Sequence, residues 1–261
     1  MKQSIRATVA LAIATTWTGA HAAGEVTLQQ VTSTVSSRYG MSQQGTTFEA
    51  NVANIAFNKQ VFAHYRGPDG AWVDVPLTFK RRLGEGREIW SGGLGLPLNT
   101  THDVQFALKY VVNGQTYWDN NRGANYFVPK DSGASLGAGV KVYDLYHQAT
   151  ARLGTTDTHV HGTVVLKNLA VAKAVDVVYS TDRWASSGTV AATYSPSHWA
   201  GAYSTAANPN GTGHEVWVYS LPVDTSATQV EYAIRYRVNG ETFWDNNGGL
   251  NYRTSIERQG R

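Results

Sequence analysis

The chain has 261 residues, a formal net charge of +3, 14 tyrosines, 26 glycines and no cysteine. Without cysteine the fold has no disulfide bonds to rely on, and so small a net charge argues against nucleic-acid binding through bulk charge. Few charged residues together with many Tyr, Gly, Thr and Val residues favour an all-β protein.

Residues 1–22 have the pattern of a secretory signal. Lys2 and Arg6 precede an apolar run of about 12 residues, and Ala20-His21-Ala22 supplies small residues on both sides of a cleavage point. The run is too short to span a bilayer. We therefore expect cleavage after Ala22 and a secreted protein, extracellular or periplasmic. Loss of the two cations lowers the formal net charge from +3 to +1.

The rest of the chain is an internal duplication. The segment FALKYVVNGQTYWDNNRGANY (106–126) recurs as YAIRYRVNGETFWDNNGGLNY (232–252), and an earlier part repeats at an offset of 114 without a gap. A repeat this long indicates two copies of one structural unit. We place these units at residues 24–129 and 138–257, joined by a short linker rich in Gly and Ser.

Alternating apolar and polar residues predict short strands in both halves and no sustained helix. This pattern, with turn signals at regular spacing, is typical of a β-sandwich. The predicted strands are 46–53, 60–66, 87–92, 104–112 and 115–118, then 159–167, 174–180, 215–219, 229–238 and 241–244.

The repeated segment predicts a β-hairpin with a solvent-facing tryptophan. Asn113-Gly114 is a two-residue type I′ turn signal, which pairs Tyr110 with Tyr117 and Lys109 with Trp118. Directly opposed residues share a face, so the tyrosines face the core and the tryptophan faces outward. The second copy predicts the same exposure for Trp244. An indole next to an Asn-rich loop suits a neutral sugar ring, which has an apolar face and a hydroxyl edge.

The motifs YWDNNRGANY and FWDNNGGLNY resemble the signature of the starch- and glycogen-binding modules of carbohydrate-binding module family 21, and of the related family 53. The resemblance implies two tandem immunoglobulin-like β-sandwich domains of about eight strands each. It also implies α-glucan binding without a cofactor.

The resemblance further implies two kinds of binding site in each half. In the first kind Trp118 pairs with Trp72, and Trp244 pairs with Trp184. Side-chain amides of the loops would bind sugar hydroxyls: Asn120, Asn125, Asn246 and Asn251. Turn formation is the other role open to these residues, and we assign loop capping to Asp119 and Asp245.

The second kind of site combines aromatic residues with a lysine. The first half supplies Phe57 and Lys59, with Phe79 as a looser match. In the second half Val171 stands where the ring is required, which leaves Lys173 and Tyr194. Phe57 could instead be a core residue at a strand edge.

Other candidate residues have simpler interpretations. We interpret Trp90 and Trp217 as core residues, and Trp199 with Tyr203 as an extension of a binding face. His159 and His161 alternate on one strand without an evident third metal ligand, so we predict no metal site.

The leading hypothesis is a secreted, non-catalytic protein that binds starch, glycogen or maltooligosaccharides. Amylolytic enzymes acting on the same polymer are its expected partners, and neither nucleic acid nor a membrane is expected. Two alternatives stay open: a small secreted glycan hydrolase with an unrecognised carboxylate pair, and an adhesive or structural sandwich protein.

Overall fold

The computed structural model describes residues 24–151, 158–224 and 226–256, without the side chains of Thr150 and Ala151. The predicted signal segment lies outside the described residues. The described chain is almost entirely antiparallel β-structure, which confirms the all-β prediction. No helix in these ranges is long and apolar enough to cross a membrane.

The first half of the chain forms one curled sheet that folds over on itself. Its strands are β1 Val26–Arg38, β2 Met41–Ala53, β3 Lys59–Arg66, β4 Trp72–Leu83, β5 Arg87–Gly95, β6 Val104–Val112, β7 Gln115–Asp119, β8 Tyr126–Val128 and β9 Gly133–Leu136. The strand order is β7-β6-β3-β4-β5-β2-β1-β9, with β8 also on β6. The first part of β4 pairs with β3 and its last part with β5, so this strand joins the two layers. Phe48, Phe106 and Tyr110 are fully buried between them.

The second half has the same layout but two separate sheets. Its strands are β10 Val142–Ala151, β11 Thr158–Lys167, β12 Lys173–Ser180, β13 Gly188–Ala191, β14 Thr193–Tyr194, β15 His214–Val223, β16 Gln229–Val238, β17 Glu241–Asp245 and β18 Tyr252–Ser255. Short 3-10 helices span His198–Ala202 and Asn247–Gly249. The sheets are β10-β11-β15-β14 and β13-β12-β16-β17, with β18 on β16. The counterpart of β4 is thus divided into β13 and β14.

Each strand that alternation predicts is present, with ends that differ by a few residues. Pairing shows one difference between the halves that the sequence comparison missed. Leu28 pairs with Ala50, whereas Asp144 pairs with Val164. The offset is therefore 116 on the first strand and 114 on the second. A shift of two residues keeps every side chain on its own face, because the side-chain period of a strand is two.

The segment predicted as a linker is instead part of the packed structure. β9 pairs with the edge of β1, Gln30 opposite Leu136, and its four residues are buried. Apolar side chains from both halves pack around it: Ala134, Leu136, Tyr143, Val165, Trp199 and Val216. The prediction that Trp199 extends a binding face is wrong, because its ring is buried here against Gly133. We call this cluster the junction.

Arg81 on β4 crosses from the first half to the second. It donates hydrogen bonds to the hydroxyls of Tyr143 (2.9 Å) and Tyr252 (3.3 Å) and to Asn247 Oδ1 (3.0 Å). Its guanidinium also lies 5.4 Å from the centroids of both tyrosine rings. The 3-10 helix in the second repeated loop is therefore held against the first half of the chain.

Candidate functional site

The repeated hairpin of the first half has the predicted register. Tyr110 lies opposite Tyr117 and Lys109 opposite Trp118. Asn113 has a φ of 50°, as the type I′ turn requires. The tyrosine rings pack with the core, while 48% of the Trp118 surface is exposed. Local turn chemistry thus places an indole on the outer face.

The second half repeats this geometry. Arg235 lies opposite Trp244 and Tyr236 opposite Phe243, as predicted. Trp244 is half-buried, and the Arg235 guanidinium lies 5.7 Å from its ring centroid. This contact has the distance of a cation–π interaction, so the second indole is supported from one side by a charged neighbour.

The loop after Trp118 is stiffened by its own amides. Asn120 Oδ1 accepts a hydrogen bond from the Gly123 amide (2.9 Å), and Asn121 Nδ2 donates to the Asn125 carbonyl (3.1 Å). Asn125 has a φ of 58°, a left-handed conformation that Asn tolerates. Its own side chain makes no hydrogen bond within the described residues. Asn125 therefore has an amide free for a ligand, whereas Asn120 Oδ1 already accepts one protein hydrogen bond and its Nδ2 is free.

The second loop repeats the same bonds. Asn246 Oδ1 accepts from the Gly249 amide (3.0 Å), and Asn247 Nδ2 donates to the Asn251 carbonyl (3.3 Å). Among the described residues the Asn251 side chain has no hydrogen bond. Arg81 uses Asn247 Oδ1, so both polar atoms of that side chain have protein partners.

Both aspartates hold their loops, as predicted. Asp119 Oδ2 accepts from the Tyr126 hydroxyl and from the Leu28 amide, each at 2.8 Å. Asp245 Oδ2 accepts from the Tyr252 hydroxyl (2.7 Å) and from the Asp144 amide (2.6 Å). The carboxylates tie each loop to the first strand of its own half and do not face the exposed indoles.

Trp118 and Trp72 meet on opposite sides of His64. The His64 ring stacks on Trp72, with centroids 4.9 Å apart and planes 8° apart, and meets Trp118 edge-on at 5.2 Å. Trp72 is 39% exposed. The three rings form one aromatic surface, which we call the platform of the first half.

A carboxylate next to the platform fixes His64 and the neighbouring Lys109. Asp74 accepts from His64 Nδ1 and from Lys109 Nζ, both at 2.7 Å, and Lys109 lies 5.8 Å from the Trp118 centroid. Burial alone raises the pKa of Asp74, but the hydrogen bonds from Lys109 and His64 outweigh it and leave the pKa below its usual value. Asp74 is therefore ionised, and it locks the histidine ring in the stacked orientation.

The tryptophans of the second half are held differently. Trp184 has a φ of 66°, and its Nε1 donates to Glu231 (2.8 Å). Strand pairing places Val178 where the first half has His64. Neither indole stacks on another ring of the described residues. The second half thus has two separate indoles, Trp184 and Trp244, on the same face of its sheet.

The second kind of predicted site is only partly assembled in the first half. Phe57 is 96% exposed, so it is not a core residue. Phe79 is half exposed and meets Trp90 edge-on at 6.3 Å. The Lys59 side chain, however, is 3% exposed, with Nζ 2.8 Å from Glu88 Oε2. This ion pair favours a structural role for Lys59, and its contact with a ligand stays a prediction.

The equivalent residues of the second half form an even less complete site. Val171 is fully exposed in place of the ring, and Lys173 forms a buried ion pair with Glu215 at 2.7 Å. The Tyr194 ring meets Trp217 edge-on at 5.9 Å, and its hydroxyl donates to the Asn208 carbonyl of the inserted segment. These bonds leave little of the predicted second site open in this half.

Sequence reasoning missed His64, Asp74 and Arg81. His64 alternates on a predicted strand, but its contact with Trp72 depends on β4, which was not predicted. Apolar residues alternate there from Val73 to Phe79, a strand signal that Pro76 weakens. Trp90 and Trp217 pack against the cores, as predicted. Among the described residues no three His, Asp, Glu or Cys side chains gather as metal ligands.

A β-sandwich that presents paired indoles beside unpaired asparagine amides has the architecture of a carbohydrate-binding module. Comparison with known families gives the particular class. The model of the carbohydrate/starch-binding module family 21 matches residues 23–129 and again residues 145–255, so the chain belongs to this family.

Several characterised proteins share one module with this chain. Glucoamylase 1 of Rhizopus oryzae is 33% identical over 100 residues, which are 37% of this chain and 14% of the relative. Human protein phosphatase 1 regulatory subunit 3B is 37% identical over 82 residues, 29% of this chain and 28% of the relative. The solved starch-binding domain of the Rhizopus glucoamylase, in complex with β-cyclodextrin and maltoheptaose, is 26% identical and covers 47% of this chain and 99% of its own, with a TM-score of 0.34.

Proposed function

We propose that this protein is a secreted, non-catalytic α-glucan-binding protein in which each half binds starch or glycogen chains. The observation that carries this proposal is the set of accessible tryptophans in both halves. Trp72 and Trp118 are exposed around His64, and in the second half Trp184 is exposed while Trp244 is half-buried. The loop that follows each hairpin carries an asparagine, Asn125 or Asn251, whose side chain has no hydrogen bond among the described residues. Lys2 and Arg6 before an apolar run, followed by Ala20-His21-Ala22, support export.

Energetics support a modest affinity per site and a larger one for the polymer. Stacking on an aromatic side chain is worth roughly 1–3 kcal/mol per ring, by analogy with nucleic-acid bases. Two rings and a few hydrogen bonds offset the cost of association and leave micromolar to millimolar affinity. Packing of the two halves at the junction keeps both sites in one particle, so a long glucan can bind both with increased avidity.

The relatives suggest what such binding serves. Glucoamylase 1 is an enzyme, and the phosphatase 1 subunits are regulatory proteins. This chain is similar to each of them only over one module. We propose that this protein likewise keeps other activities at the polymer, with amylolytic enzymes as partners. A phosphatase is the second candidate partner. Because the shared region is the module alone, the similarity supports glucan binding more strongly than a phosphatase contact.

Affinity electrophoresis in gels that contain starch, glycogen, cellulose or chitin tests this function. We expect retardation by starch and glycogen only, and release by maltoheptaose or β-cyclodextrin. Replacing Trp118 and Trp244 together by Ala should strongly reduce retardation at the same polymer concentration. Tyr39→Ala is the matched control, because this ring is 80% exposed and belongs to neither kind of predicted site. Unchanged retardation of the double variant would contradict the proposal.

A further inference from the structure

A trough on the second half is separate from both kinds of site described above. It lies on the solvent-facing side of the β10-β11-β15-β14 sheet and has a volume of about 500 Å³. Strand pairing builds it from two rows of side chains. One row is Tyr146, Thr163, Val218 and Thr193, and the next is Gln148, His161 and Ser220.

The trough exists because the fourth strand of this sheet is short. β14 has two residues, and before it the chain runs to β13 in the other sheet, which leaves an open edge at Ala191. Gly162 contributes no side chain to the floor. From the inner side the Tyr219 ring packs so closely on Gly162 that a Cβ there would lie 2.1 Å from the ring. The floor is therefore thin but firmly supported.

The first half does not have this trough. Its counterpart of Thr163 is Glu49, which is buried and bonded to Lys80 and to the Tyr143 hydroxyl at the junction. The neighbouring strand edge at Gln30 is covered by β9. The duplication has therefore kept this face open in one half and used it for packing in the other.

The lining has the chemistry of a site for a neutral polyol. Tyr146 is 57% exposed, and its hydroxyl donates to Gln148 Oε1 at 2.8 Å, which orients the ring. His161, Thr193 and Ser220 add hydrogen-bonding groups along the trough. The described lining residues include no Asp, Glu, Lys or Arg. An ionic ligand would find no counter-charge there, whereas a sugar would find an aromatic plate and hydroxyl partners.

We infer that this trough is a third carbohydrate subsite, in which a short segment of α-glucan stacks on Tyr146. The volume is within the range of small-ligand sites. The identity of the ligand rests on the function proposed above, because the lining itself selects only a neutral polyhydroxylated chain.

The test uses the full chain and maltoheptaose in isothermal titration calorimetry and in NMR titration. In a variant with Trp72, Trp118, Trp184 and Trp244 all replaced by Ala, we expect weak residual binding that shifts the Gly162 and Thr163 amide signals. Adding Tyr146→Ala should weaken this residual binding about 5-fold or more, the effect of losing one stacked ring. Tyr39→Ala in the same background should leave it unchanged.

A second variant guards against a local folding effect of the alanine. Thr193→Arg is at an exposed position and fills the trough with a long cation, so it should also remove the residual binding. Absence of residual binding in the four-tryptophan variant, or residual binding that both trough variants leave intact, would overturn the subsite. Absence of maltoheptaose binding in the wild-type protein would instead refute the proposed function.

Discussion

Low pH should destabilise the junction through protonation of His214. His214 is buried, and its Nε2 accepts a hydrogen bond from the Leu136 amide of β9 at 3.1 Å. Burial, with a smaller contribution from the charge of Lys167, lowers the pKa of His214 from 6.5 to about 4. Protonation would place a second N–H against the Leu136 donor, so the folded protein requires the neutral ring.

The sign and size of the effect follow from this shift. The folded state favours the neutral form of His214. The contribution of this histidine to the free energy of unfolding is therefore complete above pH 6.5 and is lost as the pH falls from 6.5 towards 4. Linkage gives a loss of about 2 kcal/mol in the free energy of unfolding between pH 7 and pH 5, and about 3 kcal/mol at pH 4.

Urea denaturation at pH 7, 6 and 5, followed by tryptophan fluorescence, measures this loss. The comparison is with His214→Gln, in which this titration is absent while all other ionisable groups remain. The wild-type protein should lose about 2 kcal/mol more than the variant between pH 7 and pH 5. Parallel pH profiles for the two proteins would refute the reasoning.

Three substitutions test other parts of the structure. His64→Val introduces the residue type found at this position in the second half and removes the ring that stacks on Trp72. In a background with Trp184→Ala and Trp244→Ala, calorimetry should show that the free energy of maltoheptaose binding to the first half weakens by about 0.5–1.5 kcal/mol. Arg81→Met leaves two tyrosine hydroxyls without a donor and should cost about 1–3 kcal/mol in urea denaturation, with faster hydrogen exchange in the second repeated loop. Lys59→Met leaves the buried Glu88 carboxylate without its cation and with only the hydrogen bond from Trp90 Nε1, so it should cost about 3–5 kcal/mol, which Glu88→Gln should partly restore.

Each of these has an outcome that contradicts it. Unchanged affinity of the His64 variant would mean that the ring does not support Trp72. An Arg81 variant with wild-type stability and exchange would show that the contact to Asn247 is dispensable. Normal stability of the Lys59 variant, together with reduced glucan binding, would make Lys59 a ligand contact and not a structural ion pair.

The features that follow from the sequence alone are those set by neighbouring residues. The Asn-Gly turn determines the hairpin register, and the register determines that Trp118 and Trp244 face outward. Alternation likewise identifies most strands, and the duplication identifies two modules of one family. These inferences succeed because turn chemistry and side-chain period act over a few residues.

Other features depend on contacts between segments that are distant in the sequence, and only the tertiary structure determines them. Whether Lys59 faces solvent depends on Glu88, and the stack of His64 on Trp72 depends on the pairing of β3 with β4. The supposed linker became β9 because the edge of β1 was open to pair with it. The trough arises where β13 and β14 separate. In each case the deciding partner lies far along the chain, so its position is set by packing and not by local sequence.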